Sequence, residues 1–195
     1  MPELLHTFRV LYFCINCLAI DEEGVVRRIN KCLADNGMED FLVWLPKKEV
    51  REKRQGKTEI VERPMFSGYL FLFWEGSDES LFPLYKIRRI PGVTRILGYD
   101  DGTHALKGRD LEFAHWLHMN GGFIKQSKVV YTEGQRIHIC EGPLRGFDGN
   151  VIKVDKHHKR IVLRFEIGDN VSDVSFSVEF LNSNIAACSE SSARA

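Results

Sequence analysis

The chain of 195 residues is 44% hydrophobic and 28% charged, with a formal net charge of zero. That balance describes a soluble globular chain long enough to bury a core. It excludes a general electrostatic attraction to nucleic acid, so any such contact must rest on local patches. The longest apolar run, "YLFLFW", is far shorter than the ~18 residues of a membrane span. The start, "MPELLHTFRVLYFC", lacks the basic region, apolar block and small-residue cleavage site of a secretory leader, and a cytoplasmic location is expected.

Residues 8–15, "FRVLYFCI", are aromatic and β-branched and predict a first strand. In "DEEGVVRRINKCLADNG", Val25, Val26, Ile29, Cys32 and Leu33 recur at helical spacing. Acids crowd the front and Asn36-Gly37 supplies the stop, so an amphipathic helix is expected. "DFLVWLP" (40–46) reads as a second strand. The charged stretch "KKEVREKRQGKTEIVERP" has a turn signal at Gln55-Gly56 and reads as an exposed hairpin or loop. "MFSGYLFLFWE" is a nearly continuous apolar run, as in a strand buried on both faces. "SLFPLYKIRRI" predicts a short helix with Pro83 in its first turn, "PGVTRILG" a turn and strand, and "GRDLEFAHWLHMNGG" a helix ended by Gly121-Gly122.

This order predicts an α+β sandwich, with an antiparallel sheet flanked by helices, over residues 1–120. Residues 121–132 read as a linker. From 133 to 185 the pattern changes to short strands ("QRIHIC", "GNVIKVD", "RIVLRFEI", "VSFSVEFL") with regular turns, the mark of a small all-β barrel. Residues 186–195 are expected to be a disordered tail. Within "GPLRGFDGNVIKVDKHHKR" (142–160), Gly142 and Gly146 fit a tight turn, and Gly149 a strand entry too crowded for a side chain. Lys156, His157, His158, Lys159 and Arg160 crown a hairpin. Such a cluster either blunts an edge as solvated charge or matches RNA phosphates.

No catalytic constellation is visible, and no enzyme activity or cofactor is expected. The five cysteines stand at irregular spacings (14, 17, 32, 140 and 188). "CINC" has no second pair to complete a zinc site and lies in a strand-like run, so buried reduced thiols are expected. "GKT" at 56–58 lacks the first glycine of a phosphate loop. His115 and His118 lie one helical turn apart without a nearby third ligand. They are expected to form a polar or interfacial face, with no metal.

"TEGQRIHICEGPLRGFDGNVIKVDKHHKRIVLRFEIG" resembles a KOW motif in the carboxy-terminal barrel of the NusG transcription-factor family. The front half agrees: "YFCINCLAIDEEGVVRRI" is similar to the first strand and helix of that family, "VWLPKKEVRE" to its second strand and following loop, "ERPMFSGYLFLFW" to its Phe-Pro-Gly-Tyr signature strand, and "RRIPGVTRILG" to its proline turn. The likeness covers about residues 8–182, in order. It implies an NGN sandwich followed by an SH3-like KOW barrel. Ser67 replaces the signature proline, which predicts a looser turn. The barrel motif and "GVTRILG" are similar to the specialised antiterminator paralogues called LoaP.

The resemblance implies a monomeric factor whose NGN domain grips the clamp helices of RNA polymerase and suppresses pausing and termination. It places that surface around Phe66, Tyr69 and Phe71, with Tyr12, Ile90 and Ile96 as neighbours. The position of Phe66 and Tyr69 beside a turn predicts that at least one is exposed. Lys86, Arg88 and Arg89 are candidates for upstream or non-template DNA. The KOW domain would bind a nascent RNA hairpin through Arg145, Lys153, Lys156, His157, His158, Lys159 and Arg160. The alternative is a housekeeping NusG that couples polymerase to Rho and to ribosomal protein S10. Ile167 stands where housekeeping members carry an aromatic residue for those partners, which weighs against it.

Overall fold

A computed structural model describes residues 10–38, 40–54, 56–76, 82–131, 137–168 and 170–181. The expected tail (186–195), the Gln55 half of the hairpin turn and residues 133–136 at the expected start of the barrel lie outside these. The described residues fall into two compact units. One comprises those up to Pro46 together with Phe66–Gly122, and the other Lys47–Met65 together with those from Phe123 onward.

In the first unit, β1 (Val10–Cys17), β2 (Phe41–Trp44), β5 (Tyr69–Glu75) and β6 (Val93–Ile96) form an antiparallel sheet in the order β2-β5-β1-β6. Register pairs Tyr12 with Phe73, Cys14 with Phe71 and Asn16 with Tyr69. Strand alternation therefore puts all six on one face and their chain neighbours on the other. Leu11, Phe13, Ile15, Cys17, Leu70, Leu72 and Trp74 join Val25, Ile29 and Leu33 of α1 (Glu22–Ala34) and Ile87 of the short α2 (Leu84–Ile87) in one core. The opposite face meets α3 (Gly108–Met119), which buries Phe113, Ala114 and Leu117. Both faces of β5 are thus covered, as its unbroken apolar run requires.

Cys14 and Cys17 point to opposite faces of β1. Burial pushes the Cys14 thiol up to about 12 and the Cys17 thiol to about 11. They are inert apolar groups rather than a pair.

In the second unit, β8 (Ser127–Tyr131), β9 (Ile137–Glu141), β10 (Val151–Asp155), β11 (Arg160–Ile167) and β12 (Asn170–Phe180) form a sheet in the order β10-β11-β12-β8-β9. Alternation buries Ile161, Leu163, Phe165 and Ile167 of β11 beside Val174, Phe176 and Val178 of β12 on the same face. A 3-10 turn at Asp148–Asn150 links the two edges: the Asp148 carboxylate accepts the Ile139 N–H of β9 at 2.6 Å, just before β10 begins.

Three expectations change. The segment 121–132 is not a plain linker, because β7 (Phe123–Ile124) and β8 lie within it. The charged stretch is a hairpin, β3 (Lys47–Arg54) with β4 (Lys57–Pro64), and it groups with the second unit although its sequence lies inside the first. The cause is backbone satisfaction: β3 pairs in parallel with β7, and the Arg51 N–H donates to Ser177 Oγ at 2.9 Å. Lastly, Gly149 sits in open space within the 3-10 turn. The crowded glycine is Gly142, where an added Cβ would meet the Ser127 backbone at 2.8 Å.

Candidate functional site

The signature turn is tied down from two sides. The Gly68 N–H donates to the buried Glu22 carboxylate of α1, and the Gly68 carbonyl accepts the Cys17 N–H at 2.9 Å. Ser67 is exposed and does not loosen it. Gly68 has φ +77, and a Cβ there would lie 2.8 Å from the Cys17 carbonyl oxygen, so glycine is required.

Beyond this turn the α3-facing side of the sheet carries five aromatic rings, Tyr12, Trp44, Tyr69, Phe71 and Phe73. Phe66, only 5% exposed, packs edge-on against Tyr69 and Phe113, with centroids at 6.2 and 5.7 Å. Phe71 is buried against Phe113. Tyr69 is half-buried, so neither residue of the expected pair is fully open. Trp44 stacks on Phe73 at 5.9 Å, and His118 lies 4.2 Å from Phe73 and 5.0 Å from Trp44. The Tyr12 hydroxyl sits 2.8 Å from His118 Nδ1 and 3.2 Å from His115 Nδ1, so it donates to one ring and accepts from the other. Burial, then the neighbouring His115, lowers the pKa of His118. Exposed Leu42 and Met119 flank this cluster in sequence, and Met119 is 72% exposed.

Of the six residues expected together, Tyr12, Phe66, Tyr69 and Phe71 share this side. Ile90 and Ile96 do not: both belong to the core on the α1 side of the sheet. Period-two alternation puts Ile96 beside Ile15, which faces α1. Trp44, Phe73, Phe113, Trp116, His115 and His118 complete the aromatic side and were not singled out from sequence as part of it. The signal was available in Phe73 and Trp44, which are in phase with Phe71. Helix α3 comes from too far along the chain for local pattern to place it.

Among the expected DNA contacts, Lys86 bonds Asn36 Oδ1, and Arg88 donates to His104 Nε2 at 2.6 Å. Arg89 is exposed and its side chain has no partner among the described residues.

In the second unit the β10–β11 connection is a four-residue turn, Lys156–Lys159, with all four side chains exposed. Asp155 organises it, accepting the His158 N–H at 2.9 Å and lying 2.8 Å from His158 Nδ1. These bonds, the backbone one first, hold the Asp155 carboxyl below its usual range. Lys159 adopts φ +52, and its carbonyl accepts the Val178 N–H of β12 at 2.9 Å. The Lys156 ammonium lies 3.7 Å above the Tyr131 ring.

Arg145 and Lys153 are exposed, Arg145 on the 142–147 turn and Lys153 on β10. Arg160 differs. It turns inward, donating to the Arg51 carbonyl at 3.0 Å, and its buried Nε has no hydrogen-bond partner among the described residues, so it props the hairpin rather than presenting charge. Beside it, burial and then the Arg160 charge lower the pKa of Lys48 to about 8. No group of three or more His, Cys, Asp or Glu side chains that could hold a metal occurs among the described residues.

The family model described as "Transcription termination factor nusG" matches residues 11–113. The "Transcription termination/antitermination protein NusG" of Campylobacter jejuni is 30% identical over 146 residues, covering 74% of this chain and 80% of that protein. The protein of the same name from Thermus thermophilus is 27% identical, covering 77% of this chain and 85% of its own length. A solved structure of Thermotoga maritima NusG, described under "Domain interaction in Thermotoga maritima NusG", shares the fold at a TM-score of 0.52 and 20% identity, over 87% of this chain and 94% of that one. With an NGN-type sheet-and-helix unit followed by an all-strand KOW unit, the chain belongs to the NusG family of transcription factors.

Proposed function

We propose that this protein is an antiterminator of the LoaP type, which engages RNA polymerase through the NGN unit and a nascent RNA hairpin through the KOW unit. The observation that carries this reading is the exposed cationic turn Lys156–Lys159 on a chain of zero net charge. Phosphate binding concentrated at one turn fits a barrel that reads RNA. On the NGN unit, buried Phe66 and Phe71 form the floor, and half-exposed Tyr69, Phe73 and Trp44 supply contact area for the polymerase clamp helices. Arg89 is the best placed of the three basic candidates for DNA, because Lys86 and Arg88 are already engaged. Ile167, buried in the β11 face, offers no ring to Rho or ribosomal protein S10.

The test is a gel shift of the full chain against RNA hairpins at several salt concentrations. Replacing Lys156 and Lys159 by alanine weakens binding and lowers the salt slope by about one unit for each lost phosphate contact. Unchanged affinity and slope would remove the RNA role. Capture of Rho or ribosomal protein S10 by the wild-type chain, without hairpin binding, would favour the housekeeping reading.

A further inference from the structure

Tyr131 ends β8, and Phe180 ends β12, the strand that pairs with β8 in parallel. Their rings are nearly parallel, at 11° and 5.5 Å between centroids, and both are half-buried. The Tyr131 hydroxyl makes no hydrogen bond among the described residues. A core tyrosine of this kind would have its hydroxyl paired; this one presents an unanchored ring at the surface. The cationic turn is fastened beside it, through the Val178 N–H to Lys159 carbonyl bond two residues before Phe180. Lys156, a flexible side chain, rests on the Tyr131 ring.

The geometry points to a stacking platform for an unpaired RNA base at Tyr131, backed by Phe180, with Lys156 as its phosphate contact. This deepens the RNA reading above and rests on it. A base displaces the ammonium from the ring face, and the ammonium swings to the phosphate of the same nucleotide. Aromatic stacking beside clustered cations is the combination by which proteins hold single-stranded nucleotides. A duplex keeps its bases stacked and offers only phosphates to the turn. The platform therefore selects a hairpin loop or an unpaired flank over a continuous helix.

The experiment uses the full chain and two fluorescein-labelled probes, a hairpin with an unpaired loop and a blunt duplex of equal phosphate number, read by anisotropy. Tyr131→Ala weakens hairpin binding about tenfold, leaves duplex binding and the hairpin salt slope unchanged, and Tyr131→Phe restores wild-type affinity. If Tyr131→Ala lowers the melting midpoint, Tyr131→Leu, which keeps an apolar cover on Phe180, carries the comparison. A 2-aminopurine in the loop is quenched by the wild type and not by either ring-less variant. Equal losses on both probes, or no loss, overturn the platform, while a continued loss in Lys159→Gly leaves the RNA reading standing. If the wild type binds neither probe, the RNA reading fails and the platform with it.

Discussion

Gly68 ties the turn to both α1 and β1: its N–H is held by α1, its carbonyl by β1, and its φ of +77 lies where a side chain is strained. Replacing it by alanine costs both the strained conformation and the contact with the Cys17 carbonyl. Gly68→Ala lowers stability by about 2 kcal/mol, read from the urea midpoint with an unchanged slope. At this scale the sequence was legible where chemistry is local. The strand alternation, the stop at Asn36-Gly37 and the signature Gly-Tyr could all be read directly. The sidedness of Ile90 and Ile96 could not, because it depends on which helix covers which face. The orphaned Arg160 Nε was equally hidden, since its surroundings come from a strand more than a hundred residues earlier.

At the level of elements, one connection carries opposing demands. The β10–β11 turn places Lys159 at φ +52, where glycine is preferred. Lys159→Gly relieves that strain and gains about 1 kcal/mol of stability, and under the proposed function it weakens RNA binding. A melting curve and a gel shift on the same variant therefore move in opposite directions. Had the turn been purely structural, the two would not diverge.

The β3–β4 hairpin holds Lys48 half-buried over the Phe176 ring at 5.3 Å and near Arg160, which lowers its pKa to about 8 from the ordinary 10.5. Below about pH 8 the folded and unfolded chains both carry this charge, and the full penalty stands. Between about 8 and 10.5 the unfolded chain binds more protons, so this residue makes stability rise with pH. Lys48→Met removes the penalty, gaining about 1 kcal/mol at neutral pH after allowance for its partial exposure, and flattens the rise. A steeper rise in the variant would contradict the assignment. By sequence this stretch is an exposed hairpin or loop, and its attachment to the second unit rests on non-local hydrogen bonds to β7 and β12.

For the whole molecule, zero net charge makes function a matter of where groups are gathered. Aromatic rings cluster on one side of the NGN sheet, and exposed basic side chains cluster on one turn of the KOW unit. The gain available from a large aromatic anchor at an interface is about 2 kcal/mol or more, and that from phosphate contacts falls with salt. The two surfaces should therefore fail separately. The most direct measurement pairs polymerase binding and free-hairpin binding for two full-length variants, Tyr69→Ala and Lys156→Ala with Lys159→Ala. Tyr69→Ala is expected to lose polymerase affinity and keep hairpin affinity, and the lysine variant to do the reverse. Equal loss of both activities in either variant would contradict that separation.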